Sequence, residues 1–257
     1  MKIEQVAVQL YTLREYLQTP ADIANSLARV REIGYRAVQV SGLGPIADDE
    51  LARMLRDADL TCCATHERGA EILDSPERVV ARLRALDCRI TAYPFPAGVD
   101  LGTPAAVTAF AARLEAAGRV LHAAGQTLCY HNHHLEFRRQ DGRTVLEAIF
   151  AQADPRYLQA EPDTYWVQFG GGDPVDWCQR LHGRLPILHM KDYALDAAFK
   201  PVFAEIGNGN LDWPRIVAAA DAAGCRWYAV EQDVCPGDPF DSLRQSFDYI
   251  STTLCAD

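Results

Sequence analysis

The chain has 257 residues, 49% of them apolar and 23% charged, with 35 acidic against 25 basic side chains and a formal net charge of −10. These proportions belong to a globular protein with a sizeable core, and an acidic balance without a basic stripe argues against nucleic acid or anionic membrane as a partner. No stretch approaches the roughly 20 apolar residues that span a bilayer, and MKIE leads straight into a strand pattern without a signal-peptide run, so a cytoplasmic location is expected.

In chain order, the strand candidates are 6–10, 36–40, 60–66, 88–93, 127–132, 157–163, 186–192 and 227–233. Helical patterns rich in Ala, Leu and Arg lie between them, among them 21–34 and 104–125. Gly34, Gly125 and Gly224 fit helix ends, and Pro104 and Pro174 fit first turns. The strands are nearly continuous apolar runs, as in a parallel sheet covered by helices. Eight units averaging about 32 residues predict a single-domain (β/α)8 TIM barrel spanning 1–257. A doubly wound sheet is the competing topology, but no GxGxxG turn follows the first strand. The eight scattered cysteines read as small buried hydrophobes in a reducing compartment.

A barrel places catalytic groups at strand C-termini. Polar residues gather there: Gln9 and Tyr11, Gln39, His66 and Glu67, Tyr93, His131 and His133, Glu161 and Asp163, His189 and Lys191, Glu231 and Asp233. Within CYHNHHLEF (129–137), three of the seven histidines fall within four positions. Strand alternation puts His131 and His133 on one face, so at most two of the three can converge and other strands must complete a site. Glu161 and Asp163 share a face, and His189 and Glu231 end the next two strands. Carboxylates with imidazole and no thiolate pair suit Mn, Mg, Co or Zn.

The segments YHNHHLEF, AEPDTYWVQFGGGDP, LHMKDY, EIGNGNLDW and AVEQD, in this order, resemble the sugar phosphate isomerase/epimerase family with the xylose isomerase-like TIM barrel. That family includes ketose epimerases and isomerases, inosose and dehydroshikimate dehydratases, and endonuclease IV-type repair enzymes. The resemblance implies one divalent metal ion held by Asp163, His189 and Glu231. Many epimerases carry a fourth ligand, a glutamate, at the position of Cys129. Glu161 is the preferred replacement, with His131 as the alternative. Glu231 is also implied in proton transfer, and His131 or His133 is expected to stand in for its missing partner glutamate.

The expected reaction is isomerisation or epimerisation of a keto-sugar or cyclitol through a metal-stabilised enediolate. Dehydration by a carbon–oxygen lyase on the same metal site is the alternative. His66, Lys191, Trp166 and Tyr11 are expected to bind substrate. Residues 205–213, EIGNGNLDW, are expected to form a lid or rim over the pocket. No run of Arg or Lys marks a phosphate pocket, which favours an unphosphorylated substrate. A sugar-binding barrel without chemistry and a DNA-repair enzyme are the remaining rivals, the latter disfavoured by charge. Apolar outer helix faces would permit a homodimer.

Overall fold

A computed structural model describes residues 1–255. Eight parallel strands form one sheet: Val6–Gln9, Ala37–Val40, Thr61–His66, Ile90–Tyr93, Thr127–His131, Gln159–Glu161, Ile187–Met190 and Trp227–Val230. We number them one to eight. Each strand from the first to the fifth pairs with the next, and the eighth joins the first to the seventh. The sixth and seventh meet through a single bridge, Asp163 to His189, with His189 N donating to Pro162 O at 2.9 Å. This closes the barrel expected from the sequence. The sixth strand is shorter than the expected 157–163, and its C-terminal end falls at Glu161 because Pro162 has no N–H to extend a ladder.

Helices cover the outside. Pro20–Ile33 starts with a Thr19–Asp22 capping box and ends at Gly34, and Pro104–Ala123 begins with its proline in the first turn. Both lie within two residues of the expected bounds. Gly224 adopts φ +92° after Trp213–Ala223, a conformation open to glycine at little cost. Two short antiparallel ribbons, Arg139–Gln140 with Arg143–Thr144 and Asp192–Leu195 with Pro201–Ala204, decorate the strand-end face. Among the described residues no helix is long and apolar enough to cross a membrane.

Two apolar layers follow from the pleat. Val6, Val8, Leu128, Tyr130, Leu188, Met190, Tyr228 and Val230 face the helices. Ala7, Ala37, Ala64, Ala92, Cys129, Ile187 and Ala229 fill the barrel axis. Six of the eight cysteines are buried and all are free thiols, as their scatter implied.

Candidate active site

One pleat above that floor the inward residues change character. Ala7 is followed two positions later by Gln9, Ala37 by Gln39, Ala64 by His66, Cys129 by His131, Ile187 by His189 and Ala229 by Glu231. On the sixth strand Glu161 is the register partner of His131, and Asp163 pairs with His189 beyond it. The two residues weighed for the fourth ligand position are therefore side by side at one level. Cys129 lies beneath them, fully buried among alanines.

Buried polar groups require partners, and those of this layer form a directional network. Tyr11 N donates to Gln9 Oε1 at 3.2 Å, which turns the Gln9 amide nitrogen toward His66 Nδ1 at 3.3 Å. His66 Nε2 is then the protonated nitrogen, and it donates to Glu161 Oε1 at 2.5 Å. Gln39 Nε2 donates to Glu161 Oε2 at 2.8 Å, so its oxygen accepts from His189 Nε2 at 2.7 Å. The other ring nitrogen, His189 Nδ1, faces Glu231 Oε2 at 3.0 Å and Asp163 Oδ2 at 3.8 Å.

The Asp163 carboxylate is divided. Oδ1 accepts from Trp166 N at 3.0 Å and caps the helix Thr164–Phe169. Oδ2 is 3.0 Å from Lys191 Nζ but makes no directed hydrogen bond, and it is one of the buried polar atoms without such a partner. His131 Nδ1 is another, although Glu161 Oε1 lies 3.3 Å away. Lys191 Nζ also contacts Glu231 Oε2 at 2.7 Å and Asp233 Oδ1 at 3.1 Å.

Burial opposes charge on Glu161, but His189 and His66 outweigh it and hold the carboxyl well below its ordinary range. The same contest, decided by Lys191 and His189, keeps Glu231 ionised. His189 is raised to about 10, because Glu161 and Glu231 overcome its burial. Asp163 is pushed up to about 6 by burial against the pull of Lys191, an ammonium it shares with Glu231. Burial and the neighbouring His189 lower His131 to about 3, and burial with His131 lowers His133 to about 2. Both imidazoles are therefore neutral near pH 7.

Two sets of side chains bring one donor atom each within 4.8 Å of the others: His66, His131, Glu161 and His189, and His131, Asp163, His189 and Glu231. Above them lies a cavity of about 620 Å³, lined by Tyr11, His66, His131, His133, Lys191 and Glu231 among others. Trp166 is not among its lining residues. Its ring packs 5.3 Å from His133 and 5.1 Å from His134.

Residues 205–213 do not form the expected lid, since none lines this cavity. Asp192 pins them instead, accepting from Gly207 N, Gly209 N, Leu211 N and Trp213 Nε1. The structure also reveals two connectors to which the sequence pattern assigns no role. Gln39 joins Glu161 to His189. Glu136, fully buried, accepts from Tyr130 Oη at 2.7 Å and from His133 N at 2.9 Å. A glutamine in the apolar run AVQV is the visible signal for the first. Glu136 carries none, because its burial depends on a 3-10 turn at 135–137.

Residues 27–252 match the family model described as a xylose isomerase-like TIM barrel. An inosose dehydratase of Geobacillus thermodenitrificans is 27% identical over 146 residues, 50% of this chain and 48% of that protein, so the match spans about half the length of this curated relative. A sugar phosphate isomerase/epimerase from Parabacteroides distasonis superposes with a TM-score of 0.85 at 20% identity, covering 100% of this chain and 96% of the other. An L-ribulose 3-epimerase gives 0.73 at 15% identity, with 97% and 93% covered.

Proposed function

The chain belongs to the xylose isomerase-like TIM barrel family, and within it we propose a divalent-metal-dependent enzyme that isomerises or epimerises a keto-sugar or cyclitol by moving a proton on the carbon beside its carbonyl. The observation that carries this reading is the convergence of His131, Asp163, His189 and Glu231 beneath the cavity, with donor atoms within 4.8 Å of one another.

The donor set fits such an ion. Asp163 Oδ2 is buried without a hydrogen-bond partner, and the Gln39 amide keeps Nε2 an N–H, so Nδ1, beside Asp163 and Glu231, is the nitrogen from which a charged His189 would release its proton to hold an ion. His131, held neutral, suits ligation as well. In this reading Glu161 supports His189 Nε2 from behind, because both of its oxygens already accept hydrogen bonds. Replacing Glu161 by His131 as the fourth ligand revises the sequence-based preference.

When bound, the ion supplies Lewis acidity to a carbonyl and its neighbouring hydroxyl. Glu231 is the base: it is ionised, it lines the cavity, and its Oε2 is anchored by Lys191 and His189. His133 offers a neutral ring nitrogen to a substrate hydroxyl from the cavity wall, where the His66 ring lies beside it. Lys191, charged through its contacts with Asp163, Glu231 and Asp233, is placed to hydrogen-bond an oxygen that gains negative charge.

Dehydration is the second reading, and Cys129 favours it. A second carboxylate across from Glu231 is absent where the family resemblance places one, because that position is apolar floor. One base and a separate donor suit loss of an α-proton and a β-hydroxyl as water.

Metal content by mass spectrometry and incubation of keto-sugars and inososes in D2O test both readings. About one divalent ion per chain is expected, lost in His131→Ala and kept in Glu161→Ala. Deuterium entering beside the carbonyl without loss of water marks isomerisation, and loss of water marks dehydration. Turnover that survives both EDTA and Glu231→Gln rules out the metal-and-Glu231 mechanism.

A further inference from the structure

The cavity has two electrical poles. Its floor is the carboxylate and imidazole cluster. At its rim stand two arginines from separate loops, Arg14 in the turn Leu10–Tyr16 after the first strand and Arg68 after the third. We propose that Arg14 and Arg68 form an anion-recognising mouth, so that the substrate carries a carboxylate or phosphate at the end remote from its reacting carbonyl.

Arg14 is held in place but not neutralised. Its Nη1 donates to Tyr11 O at 3.1 Å and its Nη2 to Asp233 O at 3.0 Å, and the guanidinium lies 4.6 Å from the centre of the Tyr11 ring. Backbone carbonyls fix its position without cancelling its charge. A guanidinium has five N–H donors, so three remain for a ligand. Among the described residues neither Arg14 nor Arg68 takes part in an ion pair. In the adjoining cavity of about 650 Å³, by contrast, Arg82 is consumed by Asp48 and Glu67, and Arg78 by Glu71.

The loop opposite is shaped to let Arg14 stand there. Gly42 lines the same cavity with φ +71°, and a Cβ on it would come within 3.1 Å of both Arg14 Cβ and Tyr11 Cδ2. In a chain of net charge −10, with an acidic cavity floor, an anionic ligand would be repelled without local positive charge. Planar guanidinium forks bind carboxylate and phosphate oxygens in pairs, with strong charge-assisted hydrogen bonds. The absence of a basic run in the sequence is therefore no guide, because the two charges come from different loops.

The inference rests on this cavity being the substrate's seat, but its test does not depend on turnover. Inorganic phosphate and malonate are titrated by calorimetry at constant ionic strength into wild-type protein, Arg68→Ala and Arg14→Met. Each titration is run on the protein as purified and after EDTA treatment. Saturable binding of one probe is expected, weakened about tenfold or more in each variant and retained after EDTA. Phosphate alone binding identifies a phosphate ester, and preference for malonate identifies a carboxylate.

No saturable binding of either anion, or binding unchanged in both variants, overturns the inference. Binding abolished by EDTA would place the anion on the metal and overturn it while leaving the metal reading intact. A protein without metal whose anion binding still depends on the arginines would support the anion mouth and overturn the metal reading instead. Arg68 is exposed and makes no ion pair among the described residues, so Arg68→Ala decides the matter even if Arg14→Met does not fold.

Discussion

Gln39 turns its amide oxygen to His189 Nε2 and its nitrogen to Glu161, so a side chain that never touches the reacting atoms sets which imidazole nitrogen would give up its proton to an ion. Gln39→Leu should lower divalent-metal affinity about 10- to 100-fold, the scale of a lost outer partner of a ligating histidine. It should also cost about 1–3 kcal/mol of stability by orphaning Glu161 Oε2. Calorimetric metal titration and thermal unfolding read the two effects, and unchanged metal affinity would refute the role. Glu136 gives a pH-dependent prediction away from that cluster. Burial raises its pKa from 4.5 to about 7, against the hydrogen bonds from Tyr130 and His133. Its contribution to stability is fully present below pH 4.5 and is lost as pH rises through 7. In Glu136→Gln that loss disappears, so the Tm of the variant relative to wild type should climb between those pH values. A difference that stays flat across the range would exclude the titration.

The ribbon and loop after the seventh strand show what one carboxylate does for an element. Asp192 accepts from three backbone amides and the Trp213 indole of a segment that has no regular structure of its own up to Asp212, the cap of the next helix. Asp192→Ala leaves those donors without an acceptor and should cost about 3 kcal/mol or more. Hydrogen exchange should accelerate at Gly207, Gly209 and Leu211 while the barrel strands stay protected, and equal acceleration everywhere would contradict a local clasp. The glycines of EIGNGNLDW are legible as turn residues, but their attachment is not, since it depends on a carboxylate from another segment. Regular elements are more legible. The Thr19–Asp22 box, the prolines in first turns and Gly224 each follow from local chemistry that needs no tertiary partner. The sixth strand looks longer in the sequence than it is because its extended pattern runs to Asp163, while Pro162, with no N–H, ends the ladder at Glu161.

At the scale of the molecule, the alternation of apolar runs and helical patterns makes the barrel readable, and strand-end chemistry makes Asp163, His189 and Glu231 readable. The relation between Glu161 and His131 is not, because a register shift of one residue would turn Glu161 away from the axis that it shares with His131. Nor is the pairing of Arg14 with Arg68 at one rim, since no local pattern links two loops so far apart. The closure between the sixth and seventh strands has a further consequence. Seven neighbouring strand pairs share ladders, but this one is joined by an isolated bridge, and Asp163 and His189 are the bridge residues. The barrel is thus laced least tightly where the proposed ligands sit, and an ion held by both would rivet the gap from inside. Metal addition should therefore slow exchange of the His189 amide, which spans the gap to Pro162, far more than that of amides between the fourth and fifth strands. Equal slowing of both would mean that the ion steadies the whole barrel rather than its seam. In such a molecule, the time a bound ion stays and the time the barrel stays shut become one lifetime.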